Sequence, residues 1–492
     1  MPPKKIIVIG SGFSSLSCAC FLAQKGYNVT VLEKNETLGG RARKFETNGF
    51  VFDMGPSWYW MPDVFDSFFA KFGKKVSDYY ELVRLDPSYA VIWENMEKWD
   101  VPASFDELCQ LFETYEKGAG ENLKKFIAEA AYKYEVGITD LVYKPSQSLL
   151  EFADLKLLKG MLKLDVFKSF SAHARHFFKH PKLLQLIEFP VLFLGATPQN
   201  TPALYSLMNY ADIKLGTWYP MGGMFKIIEA MVSLAKELGV NFITNQNVQK
   251  IEVTNNKVSI IRTQNETYKA DAVVGGADYH HIENQLLDSS YRNYSEKYWN
   301  SRTMAPSSLI FYLGINKRVP KLLHHNLFFD ESFTEHAIEI YDQPSWPKKP
   351  LFYVSCPSKT DNKVAPEGCE NLFVLIPVAP DLKDIESIRE NYYEMVMNRL
   401  EKYVGENIRE NVIYKKSYAH NDFISDYNAF KGNAYGLANT LSQTAILKPQ
   451  LRSKKVKNLY YTGQLTVPGP GVPPSLISGE VVAKELIKDI KN

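Results

Sequence analysis

The run Ile6-Ile7-Val8-Ile9 opens the chain with continuous apolar, β-branched character and stops at Gly10-Ser11-Gly12. A short apolar run closed by a glycine turn predicts a strand buried on both faces. The pattern then changes period. Residues 16–25 read as an apolar helix that ends at Gly26, and residues 28–32 as a second strand that delivers Glu33. Residues 44–52 alternate, as a half-buried strand does. A helix over 225–238 is followed by short strands at 240–243, 248–253, 257–263 and 270–274. Strands rich in Phe, Tyr and Ile are expected at 308–313, 351–355 and 371–376, and they suit a large mixed sheet. Near the end of the chain Asn458-Leu459-Tyr460-Tyr461 reads as one more strand, and a helix starting close to Pro473 runs to Asp489. Proline is compatible with a first helical turn because the N–H it lacks would have no partner there.

The first of these units carries chemistry. Gly10 allows a tight strand-to-helix turn, and Gly12, lacking a Cβ, lets a pyrophosphate approach the backbone N–H groups at the positive end of the helix. Glu33 follows about twenty residues later, where an acid can hold a ribose hydroxyl. The third glycine of the fingerprint is Ser15, small enough for helix–strand packing. The chain contains one such fingerprint, hence one dinucleotide site. Arg41, in Leu38-Gly39-Gly40-Arg41, offers phosphate a planar fork of donors.

Composition narrows the rest. The 492 residues suffice for two domains, and a net charge of +2 gives no general attraction to nucleic acid. Five cysteines form no CxxC pair, and Cys18 and Cys20, two apart on the first helix, share no face; reduced thiols in a cytoplasmic protein are expected. No apolar targeting segment precedes the first strand, and no run of eighteen apolar residues exists, so membrane association would be peripheral. His280-His281 and His324-His325 lack HExxH spacing and no GxSxG is present, which argues against a metal site and a serine nucleophile. Trp58 and Trp60 follow Gly55-Pro56 and suit either a pocket wall or the core. Over 149–170, Leu and Phe are interspersed with Lys156, Lys159, Lys163 and Lys168. Such a stretch fits a helix lying on a lipid surface or an ordinary surface helix.

Three segments in order carry a family resemblance: the glycine loop with Leu38-Gly39-Gly40-Arg41, the turn Trp218-Tyr219-Pro220-Met221-Gly222-Gly223, and Tyr461-Thr462-Gly463-Gln464 with Pro468-Gly469-Pro470-Gly471-Val472-Pro473. Over nearly its full length the chain resembles the bacterial phytoene desaturases, flavin-dependent carotenoid desaturases of the bacterial-fungal type within the amine oxidase-like flavoproteins. Gln464 stands where amine oxidases usually carry an acid, and Ser15 and Pro470 depart from the desaturase pattern. The resemblance implies an α/β fold: a discontinuous Rossmann-type FAD-binding domain (1–84, 205–298 and 436–492), and a mixed-sheet substrate domain (85–204 and 299–435) with a helical, membrane-facing part within 149–190.

It also implies that FAD meets Gly10, Ser11, Gly12, Ser14, Glu33 and Lys34, then Gly40, Arg41, Gly55, Pro56 and Ser57, then Val248, Gly463, Gln464, Val472 and Pro473. The substrate would meet Trp58, Trp60, Trp218, Tyr219 and Pro220, and no metal takes part. The expected reaction is stepwise desaturation of phytoene toward lycopene by hydride transfer to the flavin, with no residue assigned to take the proton. The alternatives are a later (hydroxy)carotenoid desaturase, a carotenoid isomerase, an amine oxidase and a non-catalytic carotenoid-binding protein. The implied partners are an apolar carotenoid, a membrane surface and an external electron acceptor such as quinone or oxygen, in a cytoplasmic, peripherally membrane-associated protein.

Overall fold

The computed structural model describes residues 2–148, 151, 168–192, 195–440 and 442–491. Strand β1 (Lys5–Ile9), helix α1 (Phe13–Gln24) and strand β2 (Asn28–Leu32) form the first unit, with β1 and β2 parallel and Lys5 facing Asn28. Ala272–Gly275 pairs on the other side of β1, Leu459–Tyr461 lies beyond it, and Asn241–Ile243 lies beyond β2, giving a five-stranded parallel sheet. Helix α1 starts at Phe13, three residues before the apolar pattern suggests. Gly12 is its N-cap, with φ −70° and ψ 175°.

Helix α1 is buried from Phe13 through Ala23, so it has no solvent face. Helices Val472–Lys491 and Phe225–Glu237 both pack against it. This explains how Cys18 and Cys20, on different faces, are both fully buried. The crossing with the C-terminal helix is tight: a Cβ on Gly479 would lie 2.2 Å from the Ser14 carbonyl oxygen. Ser15, at the fingerprint's third position, packs toward the neighbouring loop, where a Cβ on Gly276 would come within 1.9 Å of its Oγ. The close approach that glycine usually provides on the helix is provided here by glycine on the strand side.

The second sheet has seven strands in the order Val412–Tyr418, Ser307–Ile315, Glu370–Val378, Phe352–Ser355, His325–Phe329, Tyr89–Trp93, Lys98–Val101. All neighbours are antiparallel except His325–Phe329 beside Tyr89–Trp93. Alternation along Ser307–Ile315 sorts its two faces. Leu309, Phe311 and Leu313 join a core with Val396, Met397 and Leu400 of the helix Glu386–Val404. Ile310 and Tyr312 face the main core, where Tyr312 packs with Phe45 and Phe52 from the hairpin Lys44–Thr47/Phe50–Asp53.

Of the four lysines in 149–170 only Lys168 is among the described residues; the amphipathic reading of Lys156, Lys159 and Lys163 lies outside them. Among the described residues no helix is long and apolar enough to cross a membrane, and no group of three or more His, Cys, Asp or Glu side chains is placed to hold a metal.

Candidate active site

A cavity of about 720 Å³ starts at the carboxyl edge of the parallel sheet, where ligands of such sheets bind, and extends to Ile310, Tyr353 and Leu375 of the mixed sheet. At its dinucleotide end Gly10 has φ +91°, and a Cβ there would lie 3.2 Å from the Ala277 nitrogen. The turn therefore needs glycine. Gly12 does not need it for conformation, since its backbone is extended; a Cβ there would meet no protein atom within 4 Å and would project into open room. The first turn of α1 carries no side-chain cap, so its N–H groups are left for a ligand.

Glu33 is buried and binds the loop itself. Its Oε2 accepts from Ser11 Oγ at 2.6 Å and Ser11 N at 3.0 Å, and its Oε1 accepts from Asn35 N at 2.9 Å. Ser11 Oγ in turn accepts from Gly39 N at 3.0 Å. The Gly39-Gly40 turn is thereby drawn onto the loop, with a Cβ on Gly40 only 3.2 Å from Gly12 Cα. Arg41 follows. Among the described residues its buried Nε has no partner, its Nη2 makes a long 3.4 Å bond to the Asn433 carbonyl, and its guanidinium lies 5.3 Å from the centre of the Tyr427 ring. Burial pulls its pKa down, and Asp278 opposes that. A half-buried guanidinium with a buried, unused donor is what a phosphate oxygen satisfies. The open room at Gly12, the uncapped helix and the unspent donor of Arg41 together fit the pyrophosphate of FAD.

The C-terminal segment closes the other side. Gly463 has φ +108°, its N–H donates to Ser478 Oγ at 3.1 Å, and Gln464 Nε2 donates to Asn433 Oδ1 at 3.2 Å. The last helix starts at Val472, one residue earlier than the proline suggests. Pro473 and Pro474 have no N–H, and Ser475 N donates to the Gly471 carbonyl at 3.0 Å. The helix end thus presents its dipole and the Val472 N–H, not the full set of free donors expected from a helix terminus.

Ser14, Gly55, Pro56 and Ser57 line the cavity, as do Trp58 and Trp60. Trp58 stacks on His325, with ring centres 4.2 Å apart and planes at 10°. Trp60 Nε1 donates to Thr217 Oγ1 at 2.9 Å; Thr217 donates to Asp212 at 3.3 Å, and Tyr89 donates to the same carboxylate at 2.8 Å. Burial pushes Asp212 up to about 6. The two tryptophans are wall on one side and core on the other.

Five expected residues lie outside the lining. Lys34 Nζ donates to the Ser425 carbonyl at 2.6 Å, and Val248 sits in a strand opposite Thr263. Trp218, Tyr219 and Pro220 form a strand against Leu82–Arg84. The glycines after them serve a different purpose. Gly222 and Gly223 have φ of +95° and +99°, and Met224 N and Phe225 N donate to half-buried Asp53 at 2.7 and 2.9 Å. Burial pushes Asp53 up to about 6 despite those bonds. This turn anchors a helix and does not border the cavity. Conversely Tyr353, Asp426, Tyr427 and Asn439 line the cavity. No local motif marks them, because they arrive from a strand, the helix His420–Tyr427 and a loop that only tertiary packing brings there.

A Rossmann-type sheet with a dinucleotide seat, facing a mixed sheet across an apolar cavity, defines a flavin oxidoreductase. Residues 13–487 match the family of flavin containing amine oxidoreductases. The chain is 43% identical to a carotenoid 3,4-desaturase of Haloarcula japonica over 488 residues, 99% of each chain. It is 30% identical to a zeta-carotene-forming phytoene desaturase of Myxococcus xanthus over 498 residues, 98% of this chain and 94% of that one. The fold is similar to that of an oxidoreductase from Methanosarcina mazei, with a TM-score of 0.63 at 16% identity, covering 98% and 100% of the two chains. The protein belongs to the flavin containing amine oxidoreductase family and, within it, to the carotenoid desaturases. It is an FAD-dependent oxidoreductase acting on CH–CH bonds.

Proposed function

We propose that this protein desaturates a carotenoid at a late step, placing a double bond beside an existing polyene at the 3,4 position. The observation that carries the reading is the 43% identity, over 99% of both chains, to a relative named for that reaction. FAD supplies the hydride acceptor. The chain supplies the rest: Arg41 and the α1 terminus hold the pyrophosphate, while Trp58, Ile310 and Leu375 give the polyene an apolar wall and exclude water. Conversion of phytoene to lycopene is the second reading, favoured by the 30% identity to a phytoene desaturase.

Expression in two hosts, one accumulating phytoene and one accumulating lycopene-type pigments, separates the readings by chromatography and mass. The expected result is loss of hydrogen pairs from the lycopene-type pigment with phytoene untouched. Consumption of phytoene supports the second reading, an unchanged mass with altered geometry supports an isomerase, and no change with flavin-loaded protein rejects desaturation.

A forty-carbon polyene, at about 0.8 kcal/mol per methylene-sized group, has negligible aqueous concentration and would be drawn from a bilayer. The lysines of 149–170 suit that contact and would each add about 1 kcal/mol of attraction to anionic lipid. Changing Lys156, Lys159, Lys163 and Lys168 to glutamine is expected to weaken sedimentation with anionic vesicles while flavin content stays. Equal sedimentation would remove this stretch as the docking surface. Quinone or oxygen as the final electron acceptor is part of the same proposal, and is checked by which of them reoxidises the reduced protein.

A further inference from the structure

Forming a double bond from a saturated one removes a hydride and a proton, and the two need different destinations. Bound FAD would supply the acceptor for the hydride, which carries the electron pair of the broken substrate C–H bond. The carboxylates in the cavity lining are committed at the dinucleotide end: Glu33 to Ser11 and Asn35, Asp278 to Phe430 N and His281 N, and Asp426 to Arg43 and Tyr418. Tyr353 lies elsewhere, on the mixed sheet. It lines the cavity with Trp58 and Leu375, and the side chain of Ser57 sits against its hydroxyl.

Behind it, His325 Nδ1 lies 2.6 Å from the Tyr353 hydroxyl. The imidazole is fully buried, is stacked on Trp58, and among the described residues has no hydrogen-bond partner at Nε2. A buried ring nitrogen without a partner is costly and calls for a reason. Here it means that the ring has one polar connection, to a hydroxyl on the cavity wall. Burial holds His325 far below its usual pKa and Tyr353 above its own, so both groups are neutral, and in the tautomer with its hydrogen on Nε2 the imidazole presents the Nδ1 lone pair to the hydroxyl.

We propose that Tyr353 is the proton acceptor of the desaturation, with His325 as the positioning residue that receives the hydroxyl proton; the proposal rests on the desaturase reading above. After the hydride has gone to the flavin, the neighbouring C–H bond breaks and its electron pair completes the new double bond. The released proton joins Tyr353 Oη as the proton Oη carried moves to His325 Nδ1. Once the product has left, the proton returns from Nδ1 through the same hydroxyl to water entering the cavity. A buried imidazole is a weak base, but a proton beside a polyene cation is far more acidic than an imidazolium. The cavity exchanges one delocalised cation for another, so no extra charge is buried.

The test uses the full chain loaded with FAD, in anaerobic single turnover with a polyene the wild type accepts, unlabelled or deuterated at the carbon that loses the proton. Tyr353→Phe is expected to retain flavin and polyene affinity, to form product at least about tenfold more slowly, and to show an isotope effect at that carbon larger than the wild type's. His325→Gln, whose carbonyl can accept a hydrogen bond from the same hydroxyl but not its proton, and His325→Leu are both expected to form product at least about tenfold more slowly with polyene affinity unchanged. A Tyr353→Phe rate within twofold of wild type, without the larger isotope effect, overturns the proposal alone. Should Tyr353→Phe fail to hold flavin, a His325→Gln rate within twofold of wild type overturns it. Absence of product from flavin-loaded wild type overturns the desaturase reading and the proposal with it.

Discussion

Gly12→Val is expected to lose FAD while leaving the apoprotein folded. The backbone of Gly12 is extended, a conformation in which valine is comfortable, and a Cβ would touch no protein atom within 4 Å. Folding therefore places no demand on glycine here. The empty room is on the ligand side, where the pyrophosphate must reach the N–H groups of α1, and two methyl groups would occupy it. A hundredfold or greater rise in the dissociation constant, about 2.7 kcal/mol, is the expected size. Titration of the apoprotein with FAD measures it directly. Thermal stability should match wild type without FAD and fall below it with FAD, because the variant loses only the stabilisation that ligand binding confers. Full flavin content in the variant would move the pyrophosphate away from this loop.

Gly479→Ala is expected to do the reverse and damage the fold first. Its Cβ would lie 2.2 Å from the Ser14 carbonyl oxygen, 2.7 Å from Ser17 Cβ and 2.8 Å from Cys18 N. Two of those atoms belong to backbone and cannot rotate aside, so one helix must shift. Alanine gains about 1 kcal/mol of helix propensity over glycine. Overpacking against backbone should outweigh that and leave a net loss of about 2 kcal/mol. A lowered melting temperature, in the presence and absence of FAD, is the measurement. Because Ser14 lies in the first turn of α1, beside the pyrophosphate, FAD affinity should fall as well. A melting temperature equal to wild type would show that the two helices do not cross this closely.

The two glycines illustrate how unevenly the sequence reveals its reasons. Gly12 is legible because it stands in a short local pattern, strand, glycine loop, helix, strand, acid, whose spacing is set by backbone geometry alone. Gly479 is in a helix with no neighbouring motif, and only the approach of α1 explains it. The same division separates Glu33, legible as the acid after β2, from Ser11, which nothing in the pattern marks as the link between Glu33 and Gly39. Trp218-Tyr219-Pro220-Met221-Gly222-Gly223 was legible as a turn before a helix, but its partner Asp53 is far away in the chain, and that carboxylate determines where the turn sits.

By itself the sequence determined the dinucleotide unit, the parallel strands around it, the mixed character of the second sheet and the family. Each of these rests on local periodicity, on glycine and proline geometry, or on motifs a few residues long. Tertiary structure decided which side chains share the cavity. The strands Tyr89–Trp93 and His325–Phe329 pair in parallel although far apart in sequence, and that pairing helps set His325 behind Trp58 and Tyr353. Neither local propensity nor spacing encodes such a contact. It follows from strand order and register, which are fixed when two buried faces find each other, and the order of residues along the chain does not record which faces those are.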